Sequence, residues 1–375
     1  MTATRDVPLF KVFMAESVVR ELAKTLHSGY VGEGPKVVEF ETVLAAYLGT
    51  PRLLTCNAGT SALHLAYHMA IDHAKDAEVI STPITCTATN TPILNNGARI
   101  VWADVDPVTG SIDPADVERK ITDRTRAIAV VHWGGNPCDL ARINAIAAPR
   151  GITVIEDNAH GWGSAYRSKP IGNHSDFAVY SLQAIKHVTS VDGGLLVCRS
   201  EADYRRGKLL RWYGIDREIK DATDLRCEID VAEAGYKFHM NDVAATIGLE
   251  NFKHLDEIVG RHRANAKFYD AAFRDRPNIR TVPENPDGSC AYWFYTLHAD
   301  NRDELMASLK AAGIGASKVH ARNDTHSMFK AFRTELKGAE RFHDTHLCIP
   351  VGWWVSDEDR AYVADKVIEY ARANR

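Results

Sequence analysis

Residues 181–194, SLQAIKHVTSVDGG, place Lys186 on a short connection between two apolar runs. Those runs, residues 177–180 and 195–198, have the length and composition of buried strands. A buried ammonium group without a partner is costly unless its pKa falls. A lysine that is neutral for part of the time can form a Schiff base with an aldehyde. The alternative is a surface lysine on a loop, and this stretch alone leaves both interpretations open.

Composition places the chain among ordinary globular proteins. Its 375 residues suffice for two domains, and 45% are hydrophobic and 25% charged. The net charge of −4 gives no basic field for nucleic acid, and no run approaches the ~20 apolar residues of a membrane span. The N-terminus shows no secretory signal, and the seven cysteines are scattered without a C-x-x-C pair. We therefore expect a cytoplasmic protein without a metal site or a disulfide framework.

Strand-like runs alternate with helical segments along the first half of the chain. Strands are predicted at residues 53–56, 78–81, 100–104, 125–132 and 152–156, with helices at 62–71, 88–96, 114–120 and 140–148. This alternation predicts a largely parallel sheet that helices cover on both faces. Ligands bind at the carboxyl ends of strands in such sheets. One site is therefore expected to combine residues 57–61, 82–87, 133–136, 157–160 and 181–186.

The character of the sequence changes after a single long helix predicted at residues 241–273. A Pro/Asp/Gly-rich piece, a strand at 293–298 and helices at 302–312 and 357–373 follow. This pattern predicts a second α/β domain. We expect a large domain over residues 1–250 and a small domain over residues 251–375.

Two further motifs lie at the predicted strand ends. Gly59-Thr60-Ser61 opens a helix directly after a strand, where free N–H groups and the helix dipole favour an anion, although Thr60 or Ser61 can equally be a plain N-cap. Asp157 alone would be interpreted as a turn cap. With a Schiff-base lysine in the same sheet, Asp157 can instead keep the pyridine nitrogen of pyridoxal phosphate protonated. Together with Ser181, these separate segments fit one cofactor molecule.

Seven stretches of this sequence match a known family in order and spacing. They are SGYVGEGPKVVEFE, NAGTSALHLA, TCTATNTPIL, IEDNAHGWGSAY, the S-x-x-x-x-K of Ser181 to Lys186 with its DGG, GYKFHMNDVAATIG and IPV…SDEDRAYV. On these residues the chain resembles the sugar aminotransferases of the DegT/DnrJ/EryC1/StrS type, which are pyridoxal-phosphate enzymes of fold type I. The resemblance implies an α/β fold. Its large domain would hold a mostly parallel seven-stranded sheet between helices, beside a smaller C-terminal α/β domain.

The resemblance also implies roles for individual residues. Lys186 would hold the cofactor and later shuttle the proton, Asp157 would pair with the pyridine nitrogen, and His160 would lie near the phenolic oxygen. The other implied cofactor-binding residues are Gly59, Thr60, Ser61, Cys86, Ser181 and Lys237. Lys237 lies in the GYKFHMN segment that crosses to the active site of the partner subunit in this family.

Three positions bear on how closely the chain follows the family pattern. Cys86 stands where many members place an aromatic residue, which leaves open which residue stacks on the cofactor ring. Lys237 stands where many members have asparagine, and a lysine can serve there as a point charge. Some members replace the cofactor lysine with histidine and act as sugar 3-dehydratases. Here Lys186 is present at the position of the cofactor lysine, and His187 lies one residue after that position, which favours transamination.

The candidate substrate contacts come from separate parts of the sequence. They are Tyr30, His320, Arg322 and Asn323, the last three within the stretch VHARND. The pair Trp353-Trp354 is a further candidate. For these tryptophans, packing in the core or in a dimer is at least as good an explanation as contact with a sugar.

The resemblance implies a transamination in two halves. L-Glutamate would convert pyridoxal phosphate into pyridoxamine phosphate and leave as 2-oxoglutarate. A 3- or 4-keto sugar, often 6-deoxy and linked to dTDP, UDP or GDP, would then take the amine. The expected enzyme is a homodimer with shared active sites that makes amino sugars for a surface polysaccharide or a glycosylated metabolite. The alternatives are a pyridoxal-phosphate-dependent dehydratase of nucleotide sugars and a non-catalytic regulatory protein of the same fold.

Overall fold

The computed structural model describes residues 5–218 and 230–373. Its strands are β1 Leu53–Cys56, β2 Glu78–Ser81, β3 Arg99–Trp102, β4 Thr125–Val131, β5 Thr153–Asp157, β6 Ala165–Tyr166, β7 Lys169–Pro170, β8 Phe177–Ser181, β9 Gly194–Cys198, β10 Ile279–Thr281, β11 Gly288–Ser289, β12 Tyr295–Ala299 and β13 His346–Ile349. Its α-helices are α1 Ser17–Leu26, α2 Pro35–Leu48, α3 Gly59–Ile71, α4 Thr87–Asn95, α5 Pro114–Lys120, α6 Leu140–Ala147, α7 Glu201–Leu210, α8 Asp242–Phe252, α9 Leu255–Phe273, α10 Arg302–Ala311, α11 Lys337–Thr345 and α12 Asp357–Ala373. Across these described ranges, no helix combines the length and the apolar character needed to cross a membrane.

The central sheet has seven strands in the order β1-β9-β8-β5-β4-β2-β3. The pairs from β8 through β5, β4 and β2 to β3 are all parallel. Strand β9 runs antiparallel to both of its neighbours, β1 and β8. The predicted sheet, mostly parallel with seven strands, is therefore confirmed.

The two faces of this sheet are buried in separate cores. In β4, Ala127 and Ala129 pack into one core, whereas Ile128 and Val130 pack into the other. This alternation follows from the two-residue period of a strand. Helices α3, α4 and α7 contribute to the first core, and α2, α5, α6 and α8 contribute to the second. Helices on both faces leave the carboxyl edge of the sheet as the place where loops can form a site.

The prediction of a single long helix over residues 241–273 is wrong, because two helices occupy this stretch. Asn241 caps α8 by accepting a hydrogen bond from the Ala244 amide, and a turn then separates α8 from α9. In that turn the His254 amide donates to the Asn251 carbonyl at 3.1 Å. Leu249 of α8 lies in a core of the central sheet, whereas Tyr269 of α9 lies in the core of another sheet. Leu255 and Val259 at the start of α9 also pack in the core of the central sheet, so α9 extends from that core to the second one.

The C-terminal region is built on a separate antiparallel sheet of order β10-β12-β13. Leu297 of β12, Leu305 of α10 and Val363 of α12 share its core, which also contains Val7 from the N-terminal segment. A third, small sheet of order β11-β6-β7 pairs strands from the two regions. The division at residues 250 and 251 stays a prediction.

Candidate active site

A cavity of about 230 Å³ opens at the carboxyl ends of the central strands. The sequence-predicted residues that line it are Gly59, Thr60, Cys86, Asp157, His160, Ser181, Lys186 and His320. These residues come from the loops and strand ends around β1, β2, β5 and β8, with His320 arriving from the C-terminal region. Four of the five segments that the sequence predicts to meet here line the cavity, whereas residues 133–136 do not.

The wall of the cavity at Gly59 is the N-terminus of α3. Ala58 has extended backbone, and the first helical amides of α3 have no partner within the helix, which suits an anion. A side chain at Gly59 would bring its Cβ to 3.2 Å from the Ser181 Cβ. A Cβ at Gly194 would come to 2.4 Å from the Ala58 carbonyl oxygen. The glycines therefore allow the helix start to lie directly against β8 and β9.

Asp157 ends β5 and is 3% exposed. Its Oδ2 accepts a 2.7 Å hydrogen bond from Thr89 Oγ1, and its Oδ1 accepts a 3.0 Å bond from the Ala159 amide. Burial raises the pKa of Asp157, while those two bonds and the charge of Lys186 oppose the rise. The structure therefore buries a carboxylate at the cavity wall, where a cationic ligand would offset the desolvation cost.

Lys186 lies on the loop after β8, where its amide donates to the Gln183 carbonyl at 3.0 Å. Its Nζ is 3.5 Å from the ring centroid of Trp293. Burial lowers the pKa of Lys186 to about 8, although the nearby Asp157 and Cys86 act in the opposite direction. An amine with this pKa is neutral for a substantial fraction of the time near pH 8, as a nucleophile or proton carrier must be.

His160 is 3% exposed and stacks on Trp293, with ring centroids 4.1 Å apart. Burial is the main reason that the pKa of His160 lies well below its ordinary value, and the charge of Lys186 adds to this effect. The Gly134 amide donates to His160 Nδ1 at 3.3 Å, which places the proton of the neutral ring on Nε2. His160 is therefore a neutral ring with one donor left for a ligand.

Trp293 and Thr89 line the cavity but are not among the predicted site residues, whereas Thr85 lies within the predicted segment 82–87. Trp293 lies 108 positions after Ile185, to whose carbonyl its Nε1 donates. It belongs to an apolar run whose pattern predicts only a strand, so the sequence carries no local signal for a site. Thr89 lies within the TCTATNTPIL motif, and this motif is the available signal; Thr85, in the same motif, precedes α4.

Five predicted site residues do not line the cavity of this chain: Ser61, Lys237, Tyr30, Arg322 and Asn323. Tyr30 is 65% exposed, and Lys237 is exposed with its Nζ 4.6 Å from the ring centroid of Trp212. Arg322 pairs with Asp324 at 2.8 Å. The cofactor and substrate roles of these residues stay predictions.

Asn323 instead connects two loops. Its Nδ2 donates to the Thr85 carbonyl at 2.7 Å, and its Oδ1 accepts from Asn90 Nδ2 at 2.9 Å. The tryptophan pair lies against the N-terminal segment, since Trp354 Nε1 donates to the Pro8 carbonyl and Trp353 packs edge-on against Phe13. These contacts favour a packing role for the tryptophans.

One cluster of metal-type ligands occurs in the part of the chain that the structure describes, formed by His68, His73 and Glu233. Both carboxylate oxygens of Glu233 already accept from Arg206, at 2.9 and 2.7 Å. Mainly because of the Arg206 hydrogen bonds, the pKa of Glu233 falls to about 2. An ion-pair network accounts for this cluster.

The chain is similar to known proteins over nearly its whole length. Residues 13–368 match the DegT/DnrJ/EryC1/StrS aminotransferase family. The chain is 31% identical over 379 residues to the spore coat polysaccharide biosynthesis protein SpsC of Bacillus subtilis (strain 168), covering 98% of this chain and 96% of that protein. It is 29% identical over 361 residues to the UDP-4-amino-4,6-dideoxy-N-acetyl-beta-L-altrosamine transaminase of Campylobacter jejuni subsp. jejuni serotype O:2, covering 93% of each.

A solved structure extends the similarity to the fold. The crystal structure of the sugar aminotransferase CalS13 from Micromonospora echinospora is 40% identical in sequence, with a TM-score of 0.93. The match covers 97% of this chain and 99% of that one.

Enzymes of this family depend on pyridoxal phosphate. The cavity residues fit that cofactor, because unpaired α3 amides suit the phosphate, buried Asp157 suits a protonated ring nitrogen and Lys186 supplies the amine. The chain belongs to the DegT/DnrJ/EryC1/StrS aminotransferase family and is a pyridoxal-phosphate-dependent enzyme.

Proposed function

We propose that the enzyme transfers the amino group of L-glutamate to a keto sugar carried by a nucleoside diphosphate. The supporting observation is that Lys186, with its lowered pKa, and buried Asp157 line one cavity. The names of CalS13, a sugar aminotransferase, and of the UDP-sugar transaminase support a sugar nucleotide as acceptor. The ketone lies at carbon 3 or 4 of the sugar, which is often 6-deoxy. The product enters a surface polysaccharide, as the name of SpsC suggests, or a glycosylated metabolite.

When bound, pyridoxal phosphate supplies an aldehyde that takes up the amino group and a ring that stabilises negative charge at the reacting carbon. Asp157 keeps the ring nitrogen protonated, because a buried carboxylate stabilises an adjacent cation strongly in a low dielectric. Thr89 and the Ala159 amide fix the orientation of that carboxylate. These two hydrogen bonds hold the Asp157 carboxylate in place at the cavity wall.

Lys186 is the proton carrier. Once its amine is free of the cofactor, the neutral form would accept one proton and pass it on within each half. In the first half the proton would come from the α-carbon of glutamate and go to the cofactor, and in the second half it would come from the cofactor and go to the sugar carbon. A pKa of about 8 makes both forms accessible near neutral pH. Asp192 and Gln183 also line the cavity, on the side of the loop that carries Lys186.

The phosphate binds at the start of α3. The amides of Gly59 and Thr60 and the hydroxyls of Thr60 and the adjacent Ser181 would donate to it. His160 Nε2–H donates to the phenolic oxygen of the cofactor, which the neutral state of this ring permits. His320 Nε2 is buried without a partner and faces this cavity as a donor or acceptor for the sugar.

The working unit is a homodimer with shared active sites. Exposed apolar side chains gather on α1, α2 and the loop between them, with Val19 77%, Tyr30 65% and Val38 64% exposed, and a protein partner would cover such a surface. Lys237 is exposed and does not line its own cavity, which suits a role at the cofactor phosphate of the other chain. Tyr30 likewise reaches substrate only in the dimer. We place this enzyme in the cytoplasm, where its nucleotide sugars are made.

A panel of 3- and 4-keto nucleotide sugars, incubated with enzyme and glutamate, tests this function. Amination should release one 2-oxoglutarate for each amino sugar. A sugar that loses water without releasing 2-oxoglutarate would instead identify a dehydratase. A regulatory protein would show neither product, and its cofactor absorbance would not change when glutamate is added.

A further inference from the structure

Trp293 contacts both Lys186 and His160 in the active-site cavity. The Lys186 Nζ lies 3.5 Å from its ring centroid, and the His160 ring stacks on it with centroids 4.1 Å apart at an interplanar angle of 21°. Phe10 also stacks on it, at 4.6 Å. Trp293 is 3% exposed and lines the cavity. One indole therefore contacts both polar groups that are expected to move or donate protons.

The indole is held in this place from several sides. Its Nε1 donates to the Ile185 carbonyl at 2.8 Å, next to Lys186 in the chain. The two residues before it are fixed by buried histidines, since His187 donates to the Ala291 carbonyl at 3.1 Å and His262 donates to the Tyr292 carbonyl at 2.7 Å. This support ties the segment before β12 to the lysine loop.

We propose that Trp293 is a positioning residue for the reaction: its indole face holds the Lys186 ammonium whenever that amine is free, and its stack on His160 fixes the spacing of the two groups. A cation over an indole face is stabilised by the ring quadrupole, most strongly when water is excluded. The contact keeps the free lysine beside the reacting carbon instead of letting it turn towards Asp157. This inference rests on the proton-carrier role proposed for Lys186.

The contact has a measurable effect on the lysine. Loss of the indole removes a group that favours the charged amine, so Lys186 should titrate at lower pH. The other titratable groups around Lys186 are Asp157, Cys86, His160, His187 and His320. Burial keeps the three histidines neutral, because it holds the pKa of each below its ordinary value. Asp157 is therefore the charged neighbour that all variants retain.

The direct test measures the titration of Lys186 in full-length, cofactor-free protein. Competitive acetylation with acetic anhydride across a pH series, read by mass spectrometry of the Lys186 peptide, gives its midpoint without any sugar substrate. In Trp293→Leu the midpoint should fall by about one pH unit, the size expected for a desolvated cation–π contact. Trp293→Phe keeps an aromatic face and should shift by less than half of that. Phe10→Leu, the matched control, touches the same indole without a contact to Lys186 and should leave the midpoint unchanged.

The second readout uses the holoenzyme. In Trp293→Leu, kcat should fall roughly tenfold while KM changes less than twofold, because positioning of the proton carrier affects the chemical step. If Trp293→Leu does not fold, Trp293→Met, which fills the same space flexibly, takes its place. An unchanged Lys186 midpoint in the non-aromatic variant, or an equal shift in Phe10→Leu, would overturn the proposal. The labelling experiment uses no sugar substrate, so its result does not depend on which acceptor the enzyme uses. Failure of the proposed function can therefore be distinguished from failure of the role proposed for Trp293.

Discussion

Thr89 Oγ1 donates a 2.7 Å hydrogen bond to Asp157 Oδ2 from the first turn of α4, and both groups are buried. Hydrogen bonds to a charged group contribute about 1.5–3 kcal/mol. Thr89→Val should therefore weaken cofactor binding and lower kcat by roughly tenfold to a hundredfold. Thr89→Ser, which keeps the hydroxyl, is the matched control and should stay within a few-fold of wild type. Equal behaviour of the two variants in cofactor titrations would show that the bond has no role.

Replacement of Asp157 by Asn keeps the shape of the side chain but removes its charge. We expect kcat to fall by at least ~10²-fold, the range found for single preorganised electrostatic groups. The amide oxygen can still accept the hydrogen bond from Thr89, so the fold should be retained, as thermal melts of the cofactor-free protein can verify. A loss of activity below threefold would mean that Asp157 is only a turn cap.

The proton-carrier role of Lys186 sets the pH dependence of the second half-reaction. Burial lowers the pKa of Lys186 from its ordinary 10.5 to about 8, so below pH 8 the neutral amine increases about tenfold for each pH unit. Single-turnover amination by enzyme loaded with pyridoxamine phosphate should rise with pH and level off above about 8. The same rise should persist in His160→Gln, which removes one of the histidine rings near the lysine. A rate that falls between pH 6 and 8 contradicts this assignment.

Shared active sites can be tested by subunit complementation. Lys186→Ala and Lys237→Ala chains are each expected to have low activity alone. After exchange of equal amounts, half of the dimers should be mixed, and each mixed dimer should contain one intact site, which restores about a quarter of wild-type activity. Lys186→Ala exchanged with itself is the control. No recovery after verified exchange, with Lys237→Ala inactive alone, speaks against shared sites.

Much of the large domain is predictable from the sequence because its signals are local. Alternating apolar runs locate the strands, and the carboxyl-end rule for parallel sheets is enough to group Gly59, Asp157, Ser181 and Lys186 in one site. The glycine that ends the DGG sequence after the lysine loop is required sterically, because a side chain at Gly194 would collide with the Ala58 carbonyl.

Other features depend on tertiary contacts that the sequence pattern does not carry. Residues 241–273 keep a helical period throughout, and this local pattern does not indicate the turn at Lys253 and His254 that separates α8 from α9. Trp293 follows a strand-like pattern, yet its ring lies under Lys186 because distant histidines hold the preceding backbone. Tyr30 and Lys237 do not line the cavity of their own chain, so the site roles predicted for them would require a second subunit.

The central claim is that Lys186 catalyses transfer of an amino group from glutamate to a keto nucleotide sugar. Its most direct measurement is the yield of 2-oxoglutarate and amino sugar from wild type, Lys186→Ala and Lys186→Arg under identical conditions. Arginine keeps a positive charge but cannot lose its proton or bond to the cofactor aldehyde. We predict equal molar yields of the two products from wild type and neither from the two variants, with pyridoxal phosphate still bound non-covalently. Amino sugar formation by Lys186→Ala at the wild-type rate, or by wild type without 2-oxoglutarate, would contradict the account.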